Sequence, residues 1–489
     1  MSPISLTAAV LLASILPSAI AHGGHGHVVS TVIFHRHGDR TPKLLGNTHL
    51  TPLGQSQLFD SGLFYRTRYI TGNNHGVDIS DLEEKTILTG RNEVNVYSPD
   101  EVTLGMSASS WASGFYDGAA PYSQLSDNTN VTSPVGDEVY AVLHSTPADY
   151  KDAIWLKGDD GCTASEKAAV SAYFDSVDFL KTEKSSATFY SSLKKFFPED
   201  ALAKLNELEG GLSFRNAYII YDYLYFRTQY PTSDNTPTPS ESELSQAKQL
   251  ADQAEVALNK YDPKNKLSAI SARTLLGRVT SLLEASIKSD FQTNRVTYLS
   301  GSYDTILSLF SILGLDGEQY KHIPEYGASF VFELLQDDDD DDDDDFDLRI
   351  SFRNGTAEST SLKNLIEDEF DDLKEDWEEE GKLITSASQW CTLCNSDREF
   401  CALYDDRVVV EKAGVATLEG GKCKKESMNN ANAGVIGAMV TLVVLGASLA
   451  AAWGLGFVAF GRRRKQEQAI GMGAVTKTVS YESSVAERV

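Results

Sequence analysis

Positive charge is in short supply in this sequence: 43 lysines and arginines face 70 aspartates and glutamates, a formal net charge of −27 over 489 residues. Nine consecutive aspartates, Asp337 to Asp345, account for a third of that excess. The rest of the chain is therefore acidic too and repels a phosphate backbone, which argues against nucleic acid as a partner. Cysteine is scarce as well, and five is an odd number, so at least one thiol has no partner within the chain. No internal repeat is evident, which removes solenoids and propellers. With 41% hydrophobic and 23% charged residues, the composition is globular rather than disordered or collagen-like. The length favours one large domain with an insertion, or two domains.

Long uncharged runs occur at the two ends. Ile4 to Ala21 is apolar or small, and Ala19-Ile20-Ala21 has the small-x-small form of a cleavage site, so residues 1–21 read as a signal peptide and the mature chain begins at His22. The run from Ala433 to Phe460 would reach about 42 Å as a helix, enough to cross a ~30 Å hydrocarbon layer with tilt. Arg462, Arg463, Arg464 and Lys465 follow at once, and positive charge stays on the cytoplasmic side. The expectation is a single-pass type I membrane protein held by one C-terminal helix, with the ectodomain extracellular or in a secretory or vacuolar lumen and residues 461–489 as a cytoplasmic tail. Gly446, Ala450 and Gly454 would let two such helices pack closely, but this spacing assigns no oligomer.

On the oxidising side of a membrane, Cys162 and the group Cys391, Cys394, Cys401 and Cys423 favour disulfides over zinc, with the pairing left open. Asn130-Val131-Thr132 and Asn354-Gly355-Thr356 are N-glycosylation acceptors. His22, His25 and His27 would offer imidazoles to copper or zinc, yet glycine spacing favours a flexible leader, and no metal or cofactor is expected. The aspartate tract lacks a loop-forming glycine and its charges repel, so a solvated loop is favoured over a calcium site.

Val28 to Phe34 is rich in β-branched residues and runs into a polar loop, the pattern of a buried central strand that delivers its C-terminal end to a site. A helix over about 51–68 follows, giving a βα start and pointing to an α/β fold. Between 97 and 267 the pattern turns helical, which reads as an insertion. A helix over 271–287, a strand over 295–300 and a helix over 305–313 resume the alternation. Strands over 330–335 and 346–352 flank the aspartate tract, and Glu367 to Glu380 reads as an acidic helix.

The strongest local signal is Phe34-His35-Arg36-His37-Gly38-Asp39-Arg40-Thr41-Pro42 at the end of the first strand. Arg36 and Arg40 would fork onto phosphate oxygens, and Gly38 would let backbone approach a ligand while His37 presents its imidazole to phosphorus. A neutral imidazole is a good nucleophile near or below pH 7 and a fair leaving group once phosphorylated, which splits one hard hydrolysis into two steps.

This stretch resembles the histidine acid phosphatases, in particular membrane-anchored fungal-type members, within the histidine phosphatase (phosphoglycerate mutase-like) superfamily. Thr51-Pro52-Leu53-Gly54, Met106-Ser107-Ala108, Asn216-Ala217-Tyr218, Tyr303-Asp304-Thr305 and Tyr326-Gly327-Ala328-Ser329 fall in the family's order, covering about residues 28–410. The resemblance implies an α/β sandwich, from residues 22–96 and 268–425, with an inserted helical cap over 97–267 and the site between them. It implies His37 as nucleophile, Arg36 and Arg40 as phosphate ligands, Asp304 as the acid that protonates the leaving oxygen, and Tyr303 and Thr41 as site-lining residues. The substrate would be a phosphomonoester.

Two departures stand out. Tyr303 occupies the place of a phosphate-binding imidazole, and residues 98–105 offer no further arginine. Two lost cationic donors would cost several kcal/mol of transition-state stabilisation, or about 10³ in rate. The second reading is therefore a degenerate relative that binds a phosphorylated ligand without turnover. A third is a metal-binding surface protein.

Overall fold

The computed structural model describes residues 26–71, 93–117, 123–132, 141–230, 235–336 and 345–404. The expected signal peptide, membrane segment and tail, Cys423 and most of the aspartate tract lie outside the described residues. Among the described residues, no helix is long and apolar enough to cross a membrane.

Among the described residues nine strands carry the fold: β1 (His27–Arg36), β2 (Val94–Pro99), β3 (Ser123–Gln124), β4 (Asn130–Val131), β5 (Leu143–Thr146), β6 (Val296–Gly301), β7 (Ser329–Gln336), β8 (Phe346–Arg353) and β9 (Lys363–Glu369). All but the small β3–β4 hairpin form one mixed sheet in the order β5-β2-β6-β1-β7-β8-β9. The β-branched run of β1 sits at its centre, parallel to β6 and antiparallel to β7. Both faces of β1 are buried, which is why its sequence shows no polar alternation.

Side chains alternate across this strand. Ile33 points with Val96, Tyr298 and Val331 into a layer formed by α1 (Pro52–Arg66) and α2 (Val102–Phe115). Val32 and Phe34 face the larger core, built with α8 (Ile270–Lys288) and α9 (Tyr303–Ile312). The helices between β5 and α8 are α3 (Thr163–Phe174), α4 (Val177–Leu193), α5 (Glu199–Glu207), α6 (Ala217–Gln229) and α7 (Glu241–Leu258). Tyr190, Leu205, Leu224 and Ala251 from these helices share that larger core.

Two expectations change. Residues 97–99 and 143–146, placed in the helical insertion by sequence, belong to the sheet strands β2 and β5. Residues 363–369, partly read as helix, form the edge strand β9; the acidic helix is the shorter α10 (Phe370–Glu379).

A third cluster gathers around α11 (Ala387–Cys394). The disulfides Cys162–Cys394 and Cys391–Cys401 fasten it, so Cys162 pairs with the C-terminal group. Trp390 Nε1 donates to the Gly158 carbonyl at 2.7 Å, and Arg398 pairs with Asp160 at 2.9 Å. The turn at 158–162 is thus held from the far end of the chain.

Candidate active site

Parallel neighbours β1 and β6 end at the same sheet edge, where ligands of α/β sheets bind. Arg36 pairs in register with Gly301, and the His37 amide donates to the Gly301 carbonyl at 3.2 Å. The motif after β1 and the Tyr303-Asp304 pair opening α9 are brought together by this pairing. Gly38 serves packing rather than ligand approach: a side chain there would collide with Gly54 and Leu58 of α1.

His37 is 5% exposed. Its Nδ1 lies 2.8 Å from the Gly38 carbonyl, a partner that can only accept, so Nδ1 carries the hydrogen and Nε2 keeps its lone pair. Burial, then the charges of Arg40, Arg36 and Lys43, hold the imidazole well below its usual pKa. The ring stays neutral in mildly acidic medium.

Arg36 donates to the Pro324 carbonyl. Its guanidinium lies 4.2 Å from the Tyr326 ring centroid and 5.2 Å from that of Tyr303, two faces that favour a cation. The buried Nε of Arg36 has no hydrogen-bond partner among the described residues. Arg40 is committed to α6: it pairs with Asp222 at 3.1 Å and donates to Tyr218 at 3.0 Å, both on that helix. Asp222 also accepts the Lys43 amide at 2.8 Å, so one carboxylate ties the loop after the motif to α6. The Thr41 hydroxyl accepts the His49 amide at 2.9 Å within the loop after the motif.

Tyr303 donates to Glu255 of α7 at 2.9 Å. Asp304 follows in the first turn of α9, where Ser302 is the N-cap residue, so Asp304 is not the cap itself. Its Oδ1 is buried without a hydrogen-bond partner among the described residues. Asp304 and Tyr303 line a cavity of about 880 Å³ with Asp159 and Glu255. Burial pushes Glu255 up to about 7, and burial together with Asp304 pushes Asp159 up to about 7.

Lys43, Asp159 and Glu255 escaped the sequence reading, whereas Asp222 and Tyr326 stood in its motifs without an assigned role. Lys43 alone had a local signal, one residue past the motif, and its ammonium lies 5.3 and 5.7 Å from the rings of Tyr218 and Tyr303. Elsewhere, Asn130 and Asn354 are exposed. His322 pairs with Asp252 at 3.0 Å on the surface, and His27 opens β1.

The profile of the histidine phosphatase superfamily (branch 2) matches residues 44–353. The chain belongs to this superfamily. Solved structures similar to this superfamily member include the phytase from D. castellii, 12% identical with a TM-score of 0.45, covering 76% of this chain and 83% of that one. The Klebsiella sp ASR1 phytase is 13% identical, with a TM-score of 0.44 and coverage of 67% and 83%. The Bifidobacterium longum multiple inositol polyphosphate phosphatase is 13% identical, with a TM-score of 0.39 and coverage of 67% and 86%. No curated protein matches the chain.

Proposed function

We propose that this protein is an acid phosphatase that hydrolyses phosphomonoesters through a phosphohistidine at His37. The observation that carries the reading is the buried imidazole with Nδ1 fixed on the Gly38 carbonyl, amid Arg36, Arg40 and Lys43. In the first step the His37 Nε2 lone pair forms a bond to phosphorus as the ester P–O bond breaks, and the leaving oxygen takes the proton of Asp304. In the second step water attacks the phosphohistidine, Asp304 takes back a proton, and inorganic phosphate leaves with Nε2 restored. Arg36 and Lys43 offset the charge on the phosphoryl oxygens, and Arg40 contributes what its ion pair with Asp222 leaves.

Localisation belongs to the same proposal. The ectodomain faces a secretory lumen or the cell exterior, anchored by 433–460 and carrying glycans on Asn130 and Asn354. The Cys162–Cys394 and Cys391–Cys401 bridges support an oxidising compartment.

Release of p-nitrophenol from its phosphate in mildly acidic buffer, lost by 10³-fold or more in His37→Ala, is the expected result. Turnover undiminished in that variant refutes it. One observation favours the second reading, ligand binding without turnover: Arg40 is already neutralised by Asp222. Vanadate binding without any product release would select it.

A further inference from the structure

The cavity beside the reaction centre differs in charge from the motif that would hold the phosphoryl group. Asp159, Glu255 and Asp304 form its half-buried wall. Asp178 and Asp262 stand on its exposed rim, where Lys181 and Lys260 are the opposing charges. Five lining carboxyl groups therefore meet two lining ammonium groups, while Lys157 faces Asp159 and Lys43 faces Glu255 from beside the cavity. With Asp159 and Glu255 neutral below about pH 7, Asp178 and Asp262 still balance the two lining lysines, and the lining turns more acidic as the pH rises through about 7. The cations near His37 are enough for one phosphoryl group, and Arg40 among them is already paired. A second anionic group on the substrate would sit against carboxyls in a partly desolvated cavity, where like charges repel more strongly than in water.

We infer that this cavity receives the leaving group, and that it selects monophosphate esters of an uncharged or amine-bearing alcohol while rejecting esters whose alcohol part carries further phosphates or carboxylates. The inference rests on the phosphatase reading above and adds the substrate class. Tyr173 and Tyr303 give the cavity aromatic surface as well, which suits the carbon skeleton of a small alcohol or the face-on approach of an amine. Its volume of about 880 Å³ holds such a group with space to spare, so charge rather than size sets the exclusion.

The test compares esters of similar size on the full-length protein at pH 5 and pH 7.5: glycerol 2-phosphate, glycerate 2-phosphate with one added carboxylate, phosphoethanolamine with an added amine, and myo-inositol hexakisphosphate. Glycerol 2-phosphate and phosphoethanolamine are expected to exceed glycerate 2-phosphate in kcat/KM by roughly tenfold or more, with the amine gaining further on the neutral ester at pH 7.5 as the carboxyls ionise. Myo-inositol hexakisphosphate is expected to be the poorest of the four. The double variant Asp178→Lys, Asp262→Lys is expected to narrow the gap between glycerate 2-phosphate and glycerol 2-phosphate, whatever its effect on either alone. Equal or faster turnover of the anionic esters overturns the inference and leaves the phosphatase reading intact. No turnover of any of the four overturns that reading, and this inference with it.

Discussion

Replacing Tyr303 by phenylalanine removes one hydroxyl and little else, which makes its cost calculable. The residue is 5% exposed and its only acceptor among the described residues is Glu255 Oε2 at 2.9 Å. Burial pushes the Glu255 carboxyl up to about 7 from an ordinary value of 4.5. Between those two pH values the folded chain keeps a proton that the unfolded chain has released. This contribution to stability is therefore complete below about pH 4.5 and is lost as the pH rises through about 7. At pH 5 the phenol meets a neutral acid, a hydrogen bond worth about 1 kcal/mol; at pH 8.5 it meets a carboxylate, worth about 1.5–3 kcal/mol. The Tyr303→Phe variant should accordingly lose about 1 kcal/mol at pH 5 and about 1.5–3 kcal/mol at pH 8.5. Urea unfolding at the two pH values, read as the difference from the parent, measures both. A penalty that is equal at the two, or larger in acid, would refute the assignment of Glu255 as a buried group that ionises near neutrality.

Tyr303→His replaces a neutral phenol by an imidazole whose ordinary pKa keeps it charged in acid, and should raise kcat/KM for p-nitrophenyl phosphate at pH 5 by about tenfold; an unchanged value would show that the missing charge does not limit the rate. Asp159→Asn removes a carboxyl that burial and Asp304 push up to about 7, so kcat/KM for glycerol 2-phosphate should change less with pH around 7 than in the parent, and an unaltered pH profile would separate Asp159 from the chemistry. The double replacement Cys162→Ser, Cys394→Ser opens a cross-link spanning 232 positions and should cost about 3–5 kcal/mol in urea unfolding; a cost below about 1 kcal/mol would mean that Trp390 and Arg398 hold the 158–162 turn unaided.

How much was visible beforehand depended on whether the signal was local. The β1 strand and the motif after it are contiguous, and burial on both faces of β1 writes an unbroken β-branched run into the sequence. The strand β2 was hidden because Asn95 and Ser98 interrupt its apolar pattern, and β5 because it is four residues long with His144 and Ser145 exposed. The edge strand β9 is mostly exposed and reads Lys-Asn-Leu-Ile-Glu-Asp-Glu, a composition that suits a charged sheet edge but carries no strand pattern. At the site, His37, Arg36, Arg40 and Tyr303 were legible from their motif, and the β1–β6 pairing brings them to one edge. Asp222 and Glu255 arrive from α6 and α7 through tertiary packing, and nothing in their neighbouring residues announces the partners they meet. Asp159 stands on a turn positioned by residues more than 200 places later, an arrangement no window of sequence contains.

That last arrangement bears on how the protein is made. As the nascent chain leaves the ribosome, Cys162 emerges 232 residues ahead of Cys394, and Gly158 comparably far ahead of Trp390. Throughout that interval Cys162 is a thiol without its final partner, and the turn bearing Asp159 lacks its lock. The segment that completes the pocket is thus among the last of the described residues to be translated, so a chain truncated before residue 390 would leave Cys162 an unpaired thiol on a turn that nothing yet fastens.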